Sequence, residues 1–292
     1  MASLDASVLI QGGRLTAEPG IDRLDATIDI GLRATPSAHF FTVASDDARL
    51  RIAHRPIEHA RIRIGTSPLQ QDRVDLSLTG ALGTGNVEID ATIASVPPYP
   101  YSSDVRLAGC DLLTLTVRGD GVRAGATPAT PGDPGIVDAR FGIGGDDRGV
   151  ATRRGRGSAV VHKVDLARLP IALAILQVAQ ASFSFDPTVD TGVFDFTIDG
   201  SSLFFERFAL ACEDLTLDGG GWLDTESGEL ALRLRNRGTT PILSDLLGGV
   251  ANQLFQIDVR GTLADPKGSL APLPGIVPPP VLSTSPAAGA LR

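Results

Sequence analysis

Two cysteines in 292 residues, Cys110 and Cys212, are too few for a disulfide framework or a cysteine metal site. Each shares its strand parity with apolar neighbours, Ala108 and Leu112 for the first and Phe208 and Leu210 for the second, so both are expected as buried thiols, with a single Cys110–Cys212 disulfide as the alternative in an oxidising compartment. Positive charge is also scarce. With 26 Lys and Arg against 34 Asp and Glu, the net charge is −8, which argues against a nucleic-acid partner because no surplus of cations is there to neutralise phosphates. No apolar run approaches the roughly 20 residues of a membrane helix. The longest, Leu169 to Ala179, is interrupted by Pro170 and Gln177. Met1-Ala-Ser-Leu-Asp5 has neither the basic nor the apolar region of a signal peptide.

Catalytic chemistry is equally thin. Of the four histidines, His54 and His59 flank Arg55-Pro56 at a spacing that no helical metal pair uses, and His39 has no partner motif. His162 shares a strand face with Val160 and Val164 and is expected to be packed. Ser158 follows Gly157 directly and lacks the Gly-x-Ser-x-Gly spacing of a nucleophile elbow. Gly80-Ala-Leu-Gly-Thr-Gly85 has its glycines in the wrong order for a dinucleotide loop, and the Gly142–Gly149 stretch lacks the Lys-Ser/Thr of a phosphate loop. Asp46-Asp47 and Asp146-Asp147 are expected as exposed turn acids. These readings leave no catalytic residue, no metal and no cofactor, and point to a protein that is not an enzyme.

What the chain does have is 33 glycines and 20 prolines, set at short intervals among alternating apolar and polar residues. That combination predicts many short strands with tight turns. Strands are expected over 7–16, 22–32, 48–53, 60–65, 72–82, 86–94 and 112–118. Their parity is explicit: Val74, Leu76 and Leu78 lie opposite Asp75, Ser77 and Thr79, which predicts an antiparallel sheet with one covered face. Gly12-Gly13, Pro19-Gly20, Asp46-Asp47 and Gly83-Thr-Gly85 are expected as the turns. Arginine alternates with apolar residues in Arg61-Ile-Arg-Ile64 and in Leu230–Arg235, the pattern of a solvated strand face. Prolines in Val96–Tyr101 and in the linker Gly125–Gly135 break the pattern. The domain reading is therefore a β-strand-rich region over 1–150, a second module over 151–271 and a disordered Pro- and Ala-rich tail over 272–292.

In the second module strands are expected over 158–164, 192–199, 203–212, 214–217, 229–235 and 255–263. Asp199-Gly200, Asp218-Gly-Gly-Gly221 and Thr225–Gly228 are expected as hairpin turns. Two short helices are expected, one over 167–180 capped by Asp165 and one over 241–253. One apolar strand face gathers Phe194, Phe196 and Ile198, then Phe204, Phe208 and Leu210, then Leu230, Leu232 and Leu234, then Phe255, Ile257 and Val259. Those twelve residues are the candidate contacts for an acyl chain. The same pattern also suits a sheet whose core is filled by its own side chains, with no ligand.

Motif order adds one further expectation. Leu169-Pro-Ile-Ala-Leu173, Ile198-Asp-Gly200, Gly219-Gly-Gly-Trp-Leu-Asp224, Gly228–Leu234, Pro241–Leu247 and the closing Val259-Arg-Gly-Thr-Leu-Ala-Asp-Pro-Lys267 together resemble the C-terminal module of AsmA-like proteins. The resemblance covers about Gly155 to Leu273. It implies a bacterial cell-envelope protein built as a curved antiparallel sheet with an apolar inner groove. It further implies phospholipid or another acyl-chain ligand as partner, with membrane-anchored envelope proteins as associates.

Overall fold

A strand that alternates apolar and polar residues sends the two sets to opposite sides of the backbone, and a neighbouring strand preserves that division only in matching register. The computed structural model describes residues 2–15, 21–35, 38–52, 54–66, 72–116, 135–165, 188–212, 216–236 and 255–272. Of these, 83% lie in strands. All the strands belong to one open antiparallel sheet of 15, whose order is the order of the chain. The mainly β, antiparallel expectation therefore holds, as a single meander.

The first seven strands are β1 (Ala2–Leu15), β2 (Ile21–Thr35), β3 (Ala38–Ile52), β4 (Arg55–Thr66), β5 (Arg73–Leu82), β6 (Gly85–Ala94) and β7 (Tyr101–Asp111). One helical turn, α1 (Leu112–Thr116), follows. Then come β8 (Ile136–Gly145), β9 (Arg154–Asp165), β10 (Thr188–Asp199) and β11 (Ser202–Ala211). The last four are β12 (Thr216–Asp224), β13 (Glu229–Asn236), β14 (Phe255–Thr262) and β15 (Pro266–Pro272). The sheet tapers from 15 residues in β2 and β3 to 7 in β15. In a meander, alternate connections fall at opposite ends of the strands. Here the three longest, between β7 and β8, between β9 and β10 and between β13 and β14, all join strand ends on the same side of the sheet.

Two rows traced strand by strand show that the register keeps a mainly apolar and a mainly polar face apart. One runs Ala6, Ile30, Val43, Ile64, Leu76, Ala91, Ser103, Ile143, Gly155, Ile198, Leu203, Leu223, Leu230, Gly261, Pro266. Serine at 103 is its one hydroxyl. The row beside it on the opposite face runs Ser7, Asp29, Ala44, Arg63, Ser77, Asp90, Asp104, Gly142, Arg156, Thr197 and, after Phe204, Trp222 and Ala231, Arg260 and Lys267. The polar face is laced with cross-strand ion pairs, Arg106–Glu88 at 3.1 Å, Arg154–Asp199 at 2.9 Å and Arg233–Asp258 at 2.9 Å. Each is worth about 0–1 kcal/mol, so burial on the other face carries the fold.

Several expected turns are bulges or strand interior. Gly12-Gly13 and Asp46-Asp47 lie inside β1 and β3, where the register slips between Ile10 and Gly13 and between Ser45 and Ala48. Bulges use the same residues as turns, because an extra residue needs positive φ or a short polar side chain; Gly12 has φ 65°. The glycines of Asp218–Gly221 mislead in a different way: the segment, expected as a hairpin, is the middle of β12. A Cβ on Gly219 would collide with the carbonyl oxygen of Arg233 on β13, so only glycine lets the strands approach. The strand expected over 112–118 begins instead as α1, because the Asp111 carboxylate accepts the backbone N–H of Thr114 at 2.7 Å and its hydroxyl at 2.9 Å, an N-terminal cap.

Three strands lie outside the expected set: β7, β8 and β15. Prolines at 97 and 98 mark the turn before β7, and the 125–135 linker ends where β8 begins. The boundary placed near residue 150 coincides with a 3-10 turn, Val150–Thr152, across which β8 pairs with β9. The two expected helices, over 167–180 and 241–253, lie outside the described residues, as does the tail beyond Pro272. The Asp199-Gly200 and Thr225–Gly228 turns are present, with φ 63° at Gly200 and 73° at Gly228.

Asp224 organises the second of these turns. Its carboxylate accepts the Ser201 hydroxyl and the backbone N–H groups of Ser227 at 2.8 Å and Glu226 at 3.0 Å, which hold its pKa down at about 2. A depressed folded-state pKa adds stability above the unfolded value of about 3.9 and loses it as pH falls toward 2. Acid titration followed by circular dichroism should therefore show the wild type losing stability between about pH 4 and 2 more steeply than Asp224→Asn. Gly219→Ala should cost more than about 2 kcal/mol in urea unfolding, since the clash is with backbone and cannot be relieved by a rotamer.

Candidate functional site

The apolar face is the surface that the described strands share, and it is not uniform. Buried side chains form two clusters. One spans β2 to β7 and includes Leu50, Ile57, Leu82, Val87 and Cys110; the other runs from α1 and β8 to β14 and includes Val161, Leu217, Leu234, Ile257 and Val259. Leu115 of α1 packs against both. Arg55 secures this junction by donating its Nε–H to the Leu115 carbonyl at 2.8 Å, and its own burial lowers the guanidinium pKa. Burial would raise the Asp111 carboxyl, but the bonds from Thr114 and the Thr84 N–H at 3.1 Å outweigh it and hold the group below its ordinary value. The end of the sheet that bears the long connections is thus sealed at its centre.

Of the twelve candidate contacts, seven sit inside the second cluster: Phe208, Leu210, Leu230, Leu232, Leu234, Ile257 and Val259 are all buried. Phe194, Phe196 and Ile198 share their face but are half-buried. Phe255 opposes Pro272 across the last ladder. Phe204 is misplaced by parity. A bulge at Glu206-Arg207 makes Phe205 the partner of Phe196, while Phe204 opposes Thr197 and Trp222 on the polar face.

With Phe205 in its place, four rings form an edge-to-face group, Phe194–Phe208 at 4.8 Å, Phe205–Phe208 at 5.6 Å and Phe196–Phe205 at 6.5 Å. Glycines make room for them. A Cβ on Gly157 would lie 2.7 Å from the Phe196 ring, and Gly219 and Gly221 are the cross-strand partners of Phe208 and Phe205.

The open part of the face lies elsewhere, toward the end of β1 to β6 opposite the long connections. Leu4 is 60% exposed, Val8 and Leu32 42% and Ile93 41%. Ile30, Phe41, Val43, Ile64, Leu76 and Ala91, half-buried, continue the patch between them. The alternation of these strands was legible in the sequence, but nothing in the pattern separates a covered apolar face from an open one.

The remaining candidates are structural. Cys110 is a buried thiol whose pKa burial raises, on the face of Leu107 rather than Ala108 because of the bulge at Gly109; Cys212 is half-buried and packs against the second cluster. His162 is exposed rather than packed, because Val161 takes the apolar face and leaves His162 with Ser158 on the polar one; the positive φ of Lys163 (51°) then returns Val164 to the core. His59 Nδ1 meets the Asp47 carboxylate at 3.1 Å in the open. Asp146 binds Arg148, whose side chain holds the carboxyl at about 2. Among the described residues no group of three or more His, Cys, Asp or Glu is placed to hold a metal, and no helix is long and apolar enough to cross a membrane. A depression of about 560 Å³ on the polar face is lined by Arg63, Asp75, Asp90 and Asp104, and Thr92 donates to Asp75 at 3.1 Å.

Comparison with models of protein families, with curated proteins and with solved structures found no match to this chain.

The division between sealed and open regions is measurable. Leu234→Ala should cost about 2–5 kcal/mol in denaturant unfolding. Leu32→Ala, which already meets solvent, should cost under about 1 kcal/mol with an unchanged m-value.

Proposed function

We propose that this protein binds acyl chains on the open part of its apolar face, without catalysing a reaction on them, as a lipid-binding or lipid-transfer component of a bacterial cell envelope. The observation that carries this reading is the set of exposed aliphatic side chains, Leu4, Val8, Leu32 and Ile93, on the mainly apolar face of the sheet. A contiguous apolar surface of this kind costs free energy in water, at roughly 25 cal/mol per Å², until something apolar covers it. Six strands at ~4.8 Å spacing give the open region a width of roughly 24 Å. Acyl chains suit such a surface, because their attraction is non-directional and needs no hydrogen-bonding partner. The ordered C-terminal motifs that resemble AsmA-like proteins support the envelope setting and a curved, groove-like sheet. Phospholipid is the expected ligand, and membrane-anchored envelope proteins are the expected associates.

A second reading has its own support. The seven buried candidates, from Phe208 to Val259, make the C-terminal half a closed core, as a structural or interaction module would have. On this reading lipid contact is confined to β1–β6, and the C-terminal half holds the sheet rigid.

Lipid extraction and native mass spectrometry of the purified protein should find phospholipid. The double variant Leu32→Asp/Ile93→Asp should lose most of it while its melting temperature changes by no more than a few degrees. Phe196→Asp, at the boundary of the closed half, should both unfold more easily and bind less. Protein that carries no lipid and takes up none from phosphatidylglycerol vesicles would overturn the acyl-chain reading and leave the structural module.

A further inference from the structure

An open sheet has two edges, and the two edges here are built differently. β15 is 7 residues long, begins at Pro266, ends at Pro272 and carries Lys267, the devices that prevent a further strand from adding. β1 is 14 residues long and contains neither proline nor lysine. Each edge residue facing away from β2 offers backbone N–H and C=O groups that a second strand can bind. On the polar side of β1 the most exposed large apolar residue of the described chain, Leu9 at 68%, stands alone.

The arrangement of charge along β1 specifies what adds there. Asp5, Ser7 and Leu9 point to the polar side, since their neighbours Ala6, Val8 and Ile10 face the apolar one. The bulge compresses Gln11 and Gly12 into one ladder position, because Ile10 opposes Ala26 and Gly13 opposes Leu24. Arg14 then also lies on the polar side, two places beyond Leu9, just as Asp5 lies two places before it. The strand is thus charge-complementary to itself when reversed.

We propose that β1 is a self-association edge, pairing antiparallel with β1 of a second copy about a two-fold axis at Leu9. Leu9 then meets the partner's Leu9, and Asp5 meets the partner's Arg14 on both sides of the axis. Val8 meets the partner's Ile10 on the apolar side, so the apolar faces of the two copies join on one side of a continuous sheet. The covered Leu9 pair removes the most exposed apolar side chain from water, and two opposite-charge pairs set the register. This inference is independent of lipid binding.

Analytical ultracentrifugation of the full chain should show a concentration-dependent dimer. Asp5→Arg should weaken it about tenfold by placing like charges opposite each other at two sites. The double variant Asp5→Arg/Arg14→Asp should restore it, an outcome that a merely structural role for either residue does not produce. Leu9→Cys should form a disulfide-linked dimer under mild oxidation, whereas Ser3→Cys should not. A chain that stays monomeric at ~100 μM, a dimer indifferent to charge reversal, or a Leu9→Cys variant that does not cross-link to itself would overturn the proposal.

Discussion

Everything in this molecule depends on keeping one side of a sheet apolar through fourteen successive strand pairings. A slip of one residue in any ladder would turn a strand over and place its leucines in water and its arginines against the core. The chain guards against this by register, and it corrects for extra residues with bulges. At Gln11-Gly12, Asp46-Asp47, Gly109 and Glu206-Arg207 the additional residue is absorbed and the next side chain returns to its proper face. Bulges here are the means by which strands of 10 to 15 residues stay in phase with their neighbours.

The second organising feature is the uneven burial of that face. The end of the sheet with the long connections is closed around α1, where Leu112, Leu115, Arg55 and Asp111 join the two clusters. Among the C-terminal strands β13 is buried along its apolar face, with Leu230, Leu232 and Leu234 all inside, and Ile257 and Val259 of β14 lie beside it. The N-terminal strands are longer and leave their far halves open. The buried side chains of the closed half fix the positions of its strands, and the open apolar half continues the same sheet from them.

The candidate residues illustrate how far alternation carries an argument. It places Phe194, Phe196 and Ile198 on one face, and the ladders agree. It fails at Phe204, because Glu206-Arg207 form a bulge and no local signal distinguishes a bulged Glu-Arg from two ordinary strand residues. It fails differently at Gly219-Gly-Gly221, where glycine means close approach to β13 and room for Phe205 and Phe208 rather than a change of direction. Turn, bulge and close approach all call for glycine, for related reasons: a missing Cβ permits both positive φ and short interstrand distance.

Alternation along the chain specified the strand-rich antiparallel class, the existence of a mainly apolar face and the residues that form most of it, because a period of two is written directly into the order of amino acids. Alternation also assigned the arginines of Arg61–Ile64 and Leu230–Arg235 to the polar face, whereas Arg55 turned out to be drawn into the junction under α1. Which apolar residues are sealed and which meet solvent was settled by folding, since exposure depends on what lies over a face and alternation is blind to that. Folding moved the open surface from the aromatic-rich C-terminal strands to Leu4, Val8, Leu32 and Ile93, and it placed β1 and β15 at the two edges of the described sheet. Both are relations between residues distant in the chain, set by pairing and cover rather than by local pattern.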